Sequence, residues 1–254
     1  PEEILKFATV ALLAAVYATR LRSIQTIRGG ILPLFFIAGS VGLILIMQPN
    51  TAGVIMIGAA ATTMLFAAGG RLFHLCILGI IGVAVITGAV YTYPHVADRI
   101  ETFLNQGNDP QGAGWQIQQS LIAVGSGGLT GRGLGQSVQK FSYLPEPIGD
   151  SVFAVVGEEL GFIGSTILVL LYSILGLLGF RIAGRAADPF GGLMTVGLIV
   201  LIVGQSFFNI ASSLGLVPLV GIPLIFVSHG GSALAMSLAE AGVILSVSRR
   251  MREK

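Results

Sequence analysis

The sequence has 254 residues, of which 54% are hydrophobic and only 10% charged, with 36 glycines, a net charge of +2 and a mean hydropathy of +0.87. Soluble domains carry about 25% charged residues, so this composition excludes a soluble globular domain and points to an all-α, polytopic membrane protein. The single cysteine excludes an internal disulfide framework, and its place in an apolar run predicts that Cys76 packs in the core.

The chain opens at Pro1 and enters an apolar stretch almost at once, which reads as a fragment lacking its natural N-terminus. Apolar runs near the roughly 20 residues needed to cross a hydrocarbon core of about 30 Å place seven spans. They lie near residues 3–20, 31–48, 51–68, 73–93, 151–180, 190–212 and 227–248. Glu3 and Lys6 stand three apart at the mouth of the first span, on one helix face. They are either an interfacial pair with a snorkelling lysine or a cation turned towards a polar cavity that receives an anionic substrate. The first turn carries Arg20, Arg22 and Arg28, and the third span leads to Arg71. The fifth span ends near Arg181 and Arg185, and the seventh at Arg249, Arg250, Arg252 and Lys254. If every span crosses once, these clusters share one side, which the positive-inside rule makes cytoplasmic. Residues 1–254 then form a single multi-pass domain of the cytoplasmic (inner) membrane, with the long loop 94–150 outside. His74 and His95 fall at span ends and read as interfacial, and no His/Cys cluster supports a zinc site.

Within loop 94–150, residues 105–114 have the composition of a disordered segment, whereas Trp115, Ile117, Leu121, Ile122 and Val124 suit a helix in the headgroup layer. The stretch 125–135, GSGGLTGRGLG, could cradle a phosphate on backbone amides with Arg132 as a clamp, or be a flexible reentrant turn. It fails the dinucleotide spacing at Thr130, and no strand precedes it. Asp150 stands before an apolar helix, where it is either an N-cap or a carboxylate available as general base to a sugar hydroxyl. Glu158 and Glu159, two turns into the fifth span, and Glu240 in the seventh are intramembrane acids. Such acids either form a functional site or tie helices together.

The segment GWQIQQSLIAVGSGGLTGRGLGQSVQKFSYLPEPIGDSVFAVVGEELGFIG (114–164) closely resembles the signature of the SEDS family, the shape, elongation, division and sporulation proteins. PEEILK (1–6), LIMQPNTAG (45–53) and GLVPLVGIPLIFVSHGGSA (215–233) resemble that family's QPSExxK, LLQPDxG and GLLPVTGIPLPFISYGGSS. The likeness runs in order along nearly the whole chain, and GLGQSVQKFSYLPEP is nearer to the cell-division members than to the elongation members. The resemblance implies a ten-span fold whose first three spans are absent here. It implies a peptidoglycan glycosyltransferase that polymerises lipid II during cell division, with undecaprenyl diphosphate as leaving group.

By the same resemblance Asp150 matches the aspartate of the family's HTDFIFA motif and would take the proton of the acceptor's C4 hydroxyl. Glu3 and Lys6 match the QPSExxK pair. Gln116, Gln119, Ser126, Arg132, Gln139, Lys140, Pro145 and Glu146 fall on the family's loop motif, and Glu158 and Glu159 would belong to a polar cavity continuing into the bilayer, where Glu158 binds substrate. Lys6, Arg132 and Lys140 would neutralise the leaving diphosphate, a task that can recruit a divalent cation such as Mg or Mn. A class B penicillin-binding protein (a transpeptidase) and other divisome membrane proteins are the implied partners, and no nucleic acid is expected. Gly149, Asn50 and His229 depart from the family's threonine, aspartate and tyrosine. Two other function classes stay open: a lipid II flippase, and a scaffold that only docks the transpeptidase.

Overall fold

The computed structural model describes residues 2–48, 50–105, 113–219 and 221–251, and every regular element among them is helical. Pro1, Arg252, Lys254 and most of the segment expected to be disordered lie outside the described residues. The helices are α1 (Glu2–Thr19), α2 (Ile31–Met47), α3 (Thr51–Ala67), α4 (Leu72–Thr92), α5 (Pro94–Leu104), α6 (Ala113–Ser126) and the single turn α7 (Gln139–Ser142). They continue with α8 (Val152–Gly184), α9 (Pro189–Ile199), α10 (Gln205–Ser213) and α11 (Gly231–Ser248). A π-helical turn, Val200–Gly204, joins α9 to α10.

Each predicted span has its helix, and the chain is a polytopic all-α membrane protein. α4, α8, α9 with α10, and α11 are long and apolar enough to cross a bilayer, while α2 and α3 are shorter apolar helices. The last predicted span starts later than expected. Residues 221–230 are irregular and α11 starts at Gly231, because this stretch is committed to loop contacts described below.

The described residues divide into two compact units. The first comprises residues 1–89, 175–204 and 235–254. Here α1 packs on α2, α3 and α9 through Val10, Leu13, Ala14 and Tyr17, all buried. Close helix approach in a membrane needs small residues at the crossing. Gly197 of α9 is such a residue, since a Cβ there would strike Val10 and the Met64 sulfur. The Tyr17 hydroxyl donates to the Gly30 carbonyl at 3.0 Å and closes the first turn. Asn50 caps α3 by accepting from the Gly53 amide at 2.9 Å, and asparagine caps about as well as the aspartate it replaces. Cys76 is exposed rather than packed in the core. Its helix, α4, buries only His74, because an apolar residue of a membrane helix can face lipid as readily as protein. His74, third in that helix, is itself buried at 2% exposure.

The second unit comprises residues 90–174 and 205–234. Phe153, Tyr172, Ile210 and Leu224 form one buried cluster, and Ala123, Leu144 and Ala154 another. α6 forms as the headgroup-layer reading predicts and packs on α5 and α10. α5 begins at a proline in the first helical position, a start signal that loop 94–150 carried unread.

The largest departure from expectation lies in α8. Gly161 has φ 65° and ψ −163°, a backbone region open essentially to glycine alone, and it breaks the helix. Glu158 and Glu159 therefore precede the break instead of lying inside one continuous span. Residues beyond it, up to Gly184, still cover about 35 Å at 1.5 Å per residue, enough to cross a bilayer alone.

Candidate functional site

The break at Gly161 orphans two carbonyls and two amides that an intact helix would have paired as 162 to 158 and 163 to 159. The glycine-rich stretch takes up all four. Arg132 and Gly133 donate their amides to the Glu158 and Glu159 carbonyls at 3.0 Å each, and Phe162 and Ile163 donate to the Gly128 and Leu129 carbonyls at 2.9 and 3.1 Å. Backbones approach so closely here that a Cβ on Gly131 or Gly161 would overlap the opposing chain. The stretch is thus neither a flexible turn nor a free phosphate cradle at these amides. It completes the hydrogen bonding of a broken helix.

The two acids beside the break then hold the following loop. Glu158, 0% exposed, accepts from the Ser137 hydroxyl at 2.6 Å and from the Val138 and Gln139 amides at 3.1 and 3.2 Å. Arg132 Nη1 lies 3.5 Å from its other side. Glu159 accepts from the Gly135 and Ser137 amides at 2.9 and 3.3 Å and from Lys140 Nζ at 2.5 Å. Lys140 also stands over the Phe141 ring, 5.1 Å from its centroid. Both carboxylates, expected along a cavity, are spent on residues 132–140, and Lys140 is already paired.

Asp150 occupies the turn between this loop and α8. Ser151, buried, directly precedes the helix and accepts from Gln116 Nε2 at 3.0 Å. Among the described residues no helix amide donates to the Asp150 carboxylate, so the N-cap reading does not account for it. The turn is held through its backbone. Asn209 Nδ2 donates to the Asp150 carbonyl at 2.8 Å and to the Ile222 carbonyl at 2.6 Å. The Ser228 hydroxyl donates to the Gly149 carbonyl at 2.6 Å, and the His229 amide to the Ile148 carbonyl at 2.8 Å. Only the backbone amide of His229 serves here, so histidine in place of tyrosine leaves this contact intact. Gly221, at φ 65°, lies against the carboxylate, since a Cβ there would stand 3.2 Å from Asp150 Oδ2. Glu146 adopts the left-handed conformation at φ 46° and turns its carboxylate over Gly149, 3.3 Å from where a Cβ would be. The family's threonine at 149 would crowd that position. Burial pushes the Asp150 carboxyl above the ordinary aspartate range, the Glu146 charge adds to the rise, and Arg99 opposes it.

Sequence reasoning placed Asp150, Glu146 and Gln116 together, and the structure brings them to one turn. It missed Arg99, Asn209, Ser228 and Gly221. The segment GIPLIFVSHGG stood out as a motif, but nothing in its spacing told that its Ser228 hydroxyl and His229 amide grip the aspartate's turn. Gln119 is buried on α6, and the Ser126 hydroxyl donates to the Ala123 carbonyl at 2.9 Å. Arg132 is 42% exposed and is the most accessible of the three expected phosphate-neutralising cations.

Glu3 and Lys6 belong to the first unit. Lys6 is 1% exposed and does not snorkel. Its ammonium lies 2.8 Å from Glu3 and 3.1 Å from Glu2, and Glu240 of α11, also buried, interacts electrostatically with Glu3 and Lys6. Glu2 is the member of this cluster that the sequence did not single out. Among the described residues no three His, Cys, Asp or Glu side chains converge as a metal cage.

Comparison with known proteins gives concordant results. The family model described as cell cycle protein, FtsW/RodA/SpoVE, matches residues 1–253. Stage V sporulation protein E of Bacillus subtilis is 46% identical over 253 residues, covering 99% of this chain and 69% of the relative. A probable peptidoglycan glycosyltransferase FtsW of Geobacter sp. (strain M18) is 37% identical over 252 residues, with the same coverage. Among solved structures, a chain of a peptidoglycan synthase complex that coordinates polymerization and crosslinking superposes with a TM-score of 0.80. It shares 24% identity, with 98% of this chain and 69% of that chain covered. The rod shape determining protein RodA of Thermus thermophilus gives a TM-score of 0.64 at 24% identity, covering 98% and 66%.

Proposed function

This chain belongs to the SEDS family, the FtsW, RodA and SpoVE proteins, and from that premise we propose that it is a peptidoglycan glycosyltransferase polymerising lipid II in the bacterial cytoplasmic membrane. Asp150 is the general base. It takes the proton from the C4 hydroxyl of the acceptor sugar while that oxygen attacks C1 of the donor. The bond from C1 to undecaprenyl diphosphate breaks with inversion, and the diphosphate leaves with the electron pair. A carboxyl raised above its ordinary range is a stronger base than a solvated aspartate, which favours the transfer.

The observation that carries this reading is the state of Asp150: backbone gripped by Asn209, side chain released from capping, and a carboxyl whose pKa is held above the ordinary range by burial and Glu146. Arg132 is the exposed cation that meets the leaving group. Glu158, Glu159 and Lys140 act indirectly, by fixing the loop that presents it. Among the described residues no three His, Cys, Asp or Glu side chains form a cage, so a divalent cation, Mg or Mn, would be recruited together with the diphosphate. When bound it would neutralise charge on the leaving group.

Loop 94–150 lies on the outer face, where lipid II is polymerised, and a class B penicillin-binding protein is the partner that crosslinks the strands. The strands serve cell division. The deciding experiment is polymerisation of lipid II by the full-length protein carrying Asp150→Asn. Asparagine keeps the shape but cannot accept the proton, so a loss of about 10²-fold or more is expected, with lipid II binding and partner pairing retained. Glycan strands made at the wild-type rate would remove Asp150 as base and favour the flippase or scaffold readings.

A further inference from the structure

The first unit also holds a feature that the proposed chemistry leaves unused. A cavity of about 670 Å³ opens within it, inside the roughly 300–1,000 Å³ range of ligand-sized clefts. Its wall is mainly apolar, with Leu21, Phe66, Phe180, Leu193 and Val196. Asp188 also lines it, but its carboxylate accepts from the Gly191 amide at 2.8 Å as the cap of α9.

Among the described residues no arginine lines the cavity itself, but arginines neighbour its wall residues along the chain or across a backbone pairing in three separate segments. Leu21 stands between Arg20 and Arg22, and Phe180, Ala183 and Gly184 alternate with Arg181 and Arg185. Ala186, in the wall, pairs with Met251, which follows Arg249 and Arg250. None of these arginines forms an ion pair among the described residues, whereas Lys6, Arg132 and Lys140 are each paired with a glutamate.

Each half of this arrangement is unremarkable alone. A collar of basic residues at one membrane face needs no cavity, and an apolar cavity alone has no preference among lipids. Their conjunction selects an amphiphile with an anionic head. We propose that this cavity is a binding site for an anionic phospholipid, with an acyl chain in the apolar slot and the phosphate on the arginines. Guanidinium groups bind phosphate oxygens in pairs, and basic pockets between membrane helices hold anionic headgroups.

The test is photocrosslinking in the full-length protein reconstituted into vesicles of equimolar phosphatidylglycerol and phosphatidylcholine. A photoreactive residue replaces Leu21, a second sample carries it in place of the exposed Phe162, and the adducts are identified by mass spectrometry. Phosphatidylglycerol should be enriched roughly fivefold or more at position 21, the factor expected for one basic residue near an anionic surface, and not at position 162. Arg181→Gln with Arg185→Gln, or raised salt, should lower that enrichment. Ala67→Phe, which fills the slot and leaves the arginines in place, should reduce lipid capture of both kinds. Equal capture of the two lipids at position 21, equal enrichment at both positions, or capture of protein in place of lipid would each overturn the proposal.

Discussion

Removing the Glu158 carboxylate should unfasten the loop that follows the glycine-rich stretch. Glu158→Ala deletes the acceptor of three donors at 2.6, 3.1 and 3.2 Å in a fully buried site. Hydrogen bonds to a charged acceptor contribute about 1.5–3 kcal/mol each, so the gross loss is at least about 4–5 kcal/mol. Water reaches the freed donors once the loop lifts, so the net cost should fall to about 3 kcal/mol, or roughly 10² in the opening equilibrium. Glu158→Gln keeps the volume and one acceptor oxygen but turns an amide NH2 towards donors, and should cost about half as much. Arg132→Gln should cost less than about 1 kcal/mol, since that arginine is 42% exposed and 3.5 Å away. Hydrogen exchange of the full-length protein in nanodiscs reads these differences directly in peptides covering residues 134–142, with α3 as internal reference. The expected order of lost protection is Ala, then Gln, then Arg132→Gln. Wild-type protection of 134–142 in Glu158→Ala would mean that the carboxylate does not hold the loop, and so would a loss spread equally over α3.

Four further outcomes are open to measurement. Asp150 must be ionised to act as base, so polymerisation should rise as pH climbs through its raised pKa. Glu146→Gln should move this acid limb to lower pH and Arg99→Gln to higher pH, and shifts in the same direction would contradict the assignment. The linked effect on stability has the opposite sense. The raised carboxyl stabilises the fold fully while protonated below its unfolded value of about 3.9 and loses that contribution as pH rises through the folded pKa. Asp150→Asn should therefore melt slightly higher than wild type at neutral pH. In the first unit, Lys6→Met leaves Glu2 and Glu3 uncompensated. It should cost about 2–3 kcal/mol, below the 3–5 of a fully buried pair because Glu2 and Glu3 are 29% and 18% exposed. Adding Glu3→Gln should restore part of that melting temperature. Finally, a cysteine in place of Asn105 should react with an impermeant reagent on whole cells and one in place of Arg185 should not, and the reverse would invert the topology.

Read alone, the amino-acid sequence was enough to identify the solvent, the apolar helical segments and the family. Those properties depend on composition, on runs of apolar residues and on motifs, all of which are local. It also singled out Asp150, because a carboxylate before an apolar helix is conspicuous in a chain with so few charges. It could not assign the carboxylates around it. Glu158 and Glu159 read as cavity acids because a run of helix-compatible residues hides the break at Gly161, whose conformation depends on the loop lodged against it. Lys6 read equally as snorkelling or as a cation facing a polar cavity, since only packing decides what surrounds an ammonium, and the fold places it between Glu2 and Glu3. Cys76 shows the same limit, because in a bilayer hydropathy fixes depth but not whether a side chain faces lipid or protein. The grip of Asn209 and Ser228 on the turn of Asp150 joins positions 59 and 79 residues apart. Pairings at that distance follow no periodicity and exist only where the folded chain brings them together.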